Sequence, residues 1–81
     1  NIEQQIEQVF KNLQQVLTAA NSSLDHIIKL NVYLTNLENF SKVNDHMEKI
    51  FTKPYPARAA IGIKELPKEA LIEIDAIAET K

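Results

Sequence analysis

The chain of 81 residues has no cysteine and no tryptophan, one glycine and three prolines. Without cysteine there is no disulfide, no thiolate metal site and no sulfur nucleophile, which fits a reducing, cytoplasmic compartment. No apolar run approaches the roughly 18 residues of a membrane-spanning helix. The residues from Asn1 onward are too polar for the apolar stretch of a signal peptide. Neither a Gly-rich phosphate loop nor a serine nucleophile elbow is present. Charge of one sign is also lacking, since nine Lys and Arg are scattered among eleven Asp and Glu for a net −2. That balance offers no footprint for a phosphate backbone, so nucleic-acid binding is unsupported.

What the chain does contain is strong periodicity. Ile2, Ile6, Val9, Phe10, Leu13, Val16, Leu17 and Ala20 fall on one face of a first helix. Asn21-Ser22-Ser23 ends it, and Ser22 with Asp25 is set to cap a short helical turn. Ile28, Leu30, Val32 and Leu34 then alternate with polar residues as a strand with one buried face. Asn36 or Asn39 caps a second helix with the stripe Leu37, Phe40, Val43, Met47, Ile50 and Phe51. The run Thr52-Lys53-Pro54-Tyr55-Pro56 stops it, because residues before proline leave the helical region. Residues 57–63 and 72–78 read as two further strands. The expected fold is a single α+β domain over residues 1–81, with two helices on one face of a three-stranded sheet.

Period-two alternation divides the last two strands. One face carries Ala59, Ile61 and Ile63 against Ile72, Ile74, Ala76 and Ala78; the other carries Arg58, Ala60 and Gly62 against Leu71, Glu73, Asp75 and Ile77. Pairing the two as a hairpin over a turn at Glu65-Leu66-Pro67-Lys68 sets Arg58 opposite Asp75 and Ala60 opposite Glu73. The predicted result is a cation and two carboxylates over a floor of small residues, suited to a small anion. Arg58 in isolation reads as a cross-strand ion pair with Asp75, and Glu73 as an exposed acid. Two helices cannot cover both faces of a sheet. The apolar Leu71 and Ile77 on the open face therefore point to a further segment or another subunit there.

Pro56-Ala57-Arg58, Leu66-Pro67-Lys68 and Ile72-Glu73-Ile74-Asp75-Ala76-Ile77-Ala78 resemble the C-terminal signature of the RidA family, also called YjgF/YER057c/UK114, and the resemblance runs back through the whole chain. It implies the chorismate-mutase-like RidA fold without its N-terminal strand hairpin, so the chain is expected to be N-terminally truncated. It further implies hydrolytic deamination of reactive 2-imino and enamine acids such as 2-aminoacrylate, 2-iminopropanoate and 2-iminobutanoate, giving 2-oxo acids and ammonia. The resemblance implies as well that no cofactor or metal takes part and that the assembly is a homotrimer with pockets between subunits.

By the same resemblance Arg58 holds the substrate carboxylate and Glu73 orients the attacking water. Ala60, where some relatives have cysteine, contributes backbone groups, and Asn44 matches an asparagine lining the pocket. Tyr55 reads as loop packing, and His26 and His46 lack metal-ligand spacing and read as surface residues. Two alternatives are a non-catalytic trimer that binds small carboxylates as a regulator, and the endoribonuclease or translation-inhibitor role attached to some relatives. A mitochondrial location follows instead if a eukaryotic leader precedes the chain.

Overall fold

The computed structural model describes residues 1–53 and 55–80. Helix α1, Ile2–Ala19, is followed by strand β1, Ile27–Leu34, helix α2, Phe40–Ile50, strand β2, Ala57–Gly62, and strand β3, Ile72–Ala78. Short 3₁₀ turns lead into β1 at Leu24–His26 and into α2 at Leu37–Asn39, and a tight turn at Pro67–Glu69 leads toward β3. The expected α+β layer is present, with both helices and one sheet face sharing a core.

The ends of α1 follow from its sequence. Asn1 and Gln4 form a reciprocal capping box at its start. At its end the Asn21 N–H donates to the Thr18 carbonyl and the Ser22 N–H to the Leu17 carbonyl, with Asn21 at φ 58°. This is a Schellman closure, with asparagine in the left-handed position usually held by glycine. Ser22 does not cap the next turn as expected. Its buried hydroxyl donates to the Glu79 carbonyl at 2.6 Å, tying the end of the helix to the end of β3. For the second helix, Asn36 accepts from the Glu38 N–H, capping the 3₁₀ lead-in, whereas Asn39 makes no side-chain cap. Of the expected helix stop, Pro54 lies outside the described residues, as does the terminal Lys81.

The sheet order is β2-β1-β3, which corrects the expected hairpin. β1 pairs parallel with β2 and antiparallel with β3, so β2 and β3 are not neighbours. β1, α2 and β2 form a strand–helix–strand crossover. The segment from Ile63 to Leu71 then carries the chain to the far side of β1, using the left-handed Lys68 and Glu69 to turn. The physical reason lies in β1, whose Leu30, Val32 and Leu34 are fully buried and need a strand on each side. A second shift occurs at its start. Register slips between Ile27 and Lys29, so Ile27 takes the core position and Ile28 is left about half exposed at 49%.

The core gathers Ile6, Phe10, Leu30, Leu34, Val43 and Met47. Phe10 meets Phe51 edge-on at 6.3 Å between ring centroids, closing α1 onto the end of α2. Leu71 is half-buried and packs on this core rather than standing exposed. Ile77 is exposed, as expected.

Candidate functional site

Residues paired across neighbouring strands project to the same face, and the register therefore fixes where each candidate points. Arg58 pairs with Leu30, Ala60 with Val32 and Gly62 with Leu34. Those partners are buried under the helices, so Arg58, Ala60 and Gly62 lie on the helix side of the sheet, not on the open side with Glu73 and Asp75. The alternation of β2 correctly split its residues into two sets but assigned the sets to the wrong faces. Its inward set is small or charged because β2 is an edge strand beside the start of α2, not above the centre of the core.

Arg58 has an aromatic ring beside it. Its guanidinium carbon lies 5.7 Å from the centroid of the Phe40 ring, in the range of a cation–π contact. No acid among the described residues pairs with it, so the expected ion pair with Asp75 is replaced by this face contact. Two positions along the strand per step, Ala60 and Gly62 continue the same strip. A methyl group at Gly62 would approach the Leu37 side chain to 3.0 Å, showing how closely the lead-in to α2 crosses the strand.

Asn44 follows Phe40 by one helical turn. Its Nδ2 donates to Glu48 Oε1 at 3.3 Å, while its Oδ1 is buried with no hydrogen-bond partner among the described residues. An unpaired buried acceptor is costly unless a donor arrives. Tyr55 is partly exposed beside Pro56.

The open face carries a different cluster. Asp75 lies opposite Asn31, and Glu73 opposite Tyr33. Asn31 Nδ2 donates to Asp75 Oδ1 at 2.8 Å, and the Tyr33 hydroxyl donates to Asp75 Oδ2 at 2.9 Å. That bond, followed by desolvation and the charges of Asp75 and Glu73, raises the Tyr33 pKa above its ordinary value. Glu73 makes no side-chain hydrogen bond among the described residues, because the neighbouring phenol is committed to Asp75. Asn31 and Tyr33 were not singled out from the sequence. Their signal was the polar side of β1's alternation, legible once β1 is known to be central.

Arg58 and Glu73 are thus on opposite faces and on strands separated by β1, offset by two strand spacings or about 10 Å across the sheet and by three residues, about another 10 Å, along it. Within one chain they do not form one site. A cavity of about 390 Å³ opens between α1 and β3, lined by Val9, Leu13, Val16, Leu66 and Ile72 with Glu73 at its border. It includes none of Arg58, Ala60 and Asn44, and its walls are mostly apolar. His26 Nδ1 is hydrogen-bonded with the Ser23 hydroxyl at 2.8 Å, and His46 lies 5.3 Å from Phe10 between ring centroids. Among the described residues no group of three or more His, Asp and Glu is placed to hold a metal ion. No helix of the described residues is long and apolar enough to cross a membrane.

The sequence profile of the family described as endoribonuclease L-PSP matches residues 1–80. AldR of Lactococcus lactis, named as a candidate regulator, is 48% identical over the whole chain, which spans 64% of that protein. A 2-iminobutanoate/2-iminopropanoate deaminase of the mite Dermatophagoides farinae is 36% identical over 94% of the chain and 59% of its own length. The crystal structure of RidA from an Antarctic Psychrobacter superposes with a TM-score of 0.93 at 40% identity, covering 96% of this chain and 63% of that one. The chain spans about six-tenths of the length of these relatives. With the matching profile, the identities and the shared fold together, the chain belongs to the endoribonuclease L-PSP family, which includes RidA, YjgF and UK114.

Proposed function

We propose that the protein hydrolyses reactive 2-imino acids and their enamine tautomers to 2-oxo acids and ammonia. The observation that carries the reading is Arg58, an exposed guanidinium that is held by an aromatic face and has no acid partner among the described residues. Its planar fork of donors is open to a carboxylate, which it can grip through two parallel hydrogen bonds. Ala60 beside it leaves room for a small acid and offers backbone groups, and Asn44 Oδ1 is an acceptor awaiting a donor such as an imine N–H. Glu73, not engaged by Tyr33, serves to orient and deprotonate the attacking water and then to protonate the leaving ammonia. The imine carbon is already electrophilic, so positioning and proton transfer are sufficient chemistry.

The opposite placement of Arg58 and Glu73 adds a requirement: a second copy must bring its Glu73 to the Arg58 of the first. A homotrimer in which the open face of one copy meets the exposed β2 edge of the next, where Arg58 stands, satisfies this, and the exposed Ile61 and Ile77 on the open face favour burial there. A cytoplasmic setting suits this chemistry.

Imine trapping tests the reading. A pyridoxal-phosphate threonine dehydratase generates the imine, semicarbazide captures it, and added protein competes by hydrolysis. We expect the protein to suppress semicarbazone formation and Arg58→Ala to lose roughly 10- to 100-fold of that activity, the range of a lost charged hydrogen-bonded pair. Equal suppression by both would refute the role of Arg58.

A second reading keeps Arg58 for binding alone. It is favoured by the candidate-regulator name of the 48% identical AldR and by the separation of Arg58 from Glu73. In that case 2-oxo acids bind, Arg58→Ala abolishes binding, and no turnover is seen. The endoribonuclease role has less support, since the net charge of −2 offers no basic surface.

A further inference from the structure

We infer that Phe40 is a positioning residue for Arg58, holding the guanidinium by its face so that its N–H edge stays open to an incoming carboxylate; this rests on the carboxylate-binding reading of Arg58. Arg58 stands on an exposed edge strand, where a long side chain would otherwise sample many rotamers and lose that freedom on binding. An acidic neighbour would also restrain it, but would occupy the same donors that a ligand carboxylate needs. Within one chain the register removes that competition, because Glu73 and Asp75 project from the other face of the sheet and Asp75 is already held by Asn31 and Tyr33.

What remains beside Arg58 is the Phe40 ring at 5.7 Å. A ring attracts the cation through its face and accepts none of the five in-plane N–H groups. The ring is itself fixed, since Phe40 opens α2 and packs against the buried core. The same helix carries Asn44 one turn later, so one rigid element sets both the ring and the unpaired Oδ1.

The test compares Phe40→Leu, which keeps an apolar side chain and removes the π face, with Phe40→Tyr, which keeps the ring. Binding of 2-oxobutanoate and the KM for the trapped imine are the readouts. Phe40→Leu should weaken both by roughly two- to fivefold with kcat unchanged, the range of an exposed cation–π contact, and Phe40→Tyr should restore them. Unchanged binding in Phe40→Leu, or an equal loss in Phe40→Tyr, would overturn the inference. Should the leucine variant fail to fold, the wild-type protein still decides the matter by NMR. Ring-current upfield shifts of the Arg58 Hδ and Hε protons support the stacked arrangement, and ordinary shifts overturn it. Arg58→Ala separates the two levels. If it leaves 2-oxobutanoate binding intact, the carboxylate reading fails; if it abolishes binding while Phe40→Leu does not weaken it, only the positioning role fails.

Discussion

β2 and β3 flank the same central strand, yet one is bound into the core and the other is not. β3 buries Ile72 and half-buries Ile74, Ala76 and Ala78 beneath α1, and its outward residues are Glu73, Asp75 and Ile77. β2 is exposed along nearly its whole length and places small residues and one arginine where β3 places its aliphatic set. The difference teaches that an inward-facing position on an edge strand need not be a core position. At that edge the helix layer ends with Leu37 and Phe40, which meet Gly62 and Arg58. The fold thereby leaves a charged group on its helix side without burying it, the placement a binding site requires.

The contrast is broken most strongly in the core strand both flanks share. Leu30→Ala should cost about 2–5 kcal/mol, because Leu30 is fully buried and the cavity cannot collapse between two strands and two helices. Ile61→Ala on the open face of β2, at 38% exposed, should cost well under half of that. Denaturant midpoints of the two variants measure the difference directly. Equal losses would mean that β2 is as deeply packed as the central strand β1, and its description as an exposed edge would be wrong.

A smaller effect sharpens the account of the open face. Tyr33 has a raised pKa, chiefly through its hydrogen bond to Asp75, so its neutral form is favoured in the folded protein. The stability it contributes is complete below the ordinary tyrosine pKa of about 10 and is lost as pH rises through the raised value. Ultraviolet titration should show one phenol ionising above the ordinary range, and Asp75→Asn should bring it back down. An unaltered titration in Asp75→Asn would show that the hydrogen bond does not govern Tyr33.

Much of this was legible in the residues. The 3.6-residue spacing of Ile2, Ile6 and Phe10 and of Phe40, Val43 and Met47 marks the helices, and period two marks all three strands. Strand order was not legible, because alternation records which residues share a face but not which strand lies beside which. Sequential strands often pair, and that expectation placed β3 next to β2 where β1 intervenes. The face of β2 was misread for a related reason. Ala59 and Ile61 are more apolar than Arg58 and Ala60, and on a half-buried strand that contrast would point inward. On an edge strand of a sheet whose open face also carries the exposed Ile77 of β3, apolar character does not identify the helix side. Arg58 and Glu73 were found by type and motif, while their separation, the contact with Phe40 and the network of Asn31, Tyr33 and Asp75 required the register.

The central claim is that Arg58 of one copy works with Glu73 of another, and complementation measures it. Arg58→Ala and Glu73→Gln are each strongly impaired in imine trapping on this account. Mixed after unfolding and refolding together, they should recover a substantial fraction of wild-type activity, because some interfaces then pair an intact Arg58 with an intact Glu73. If the mixture stays as impaired as its parents while the subunits demonstrably exchange, the two residues do not meet between copies and the proposed site is contradicted.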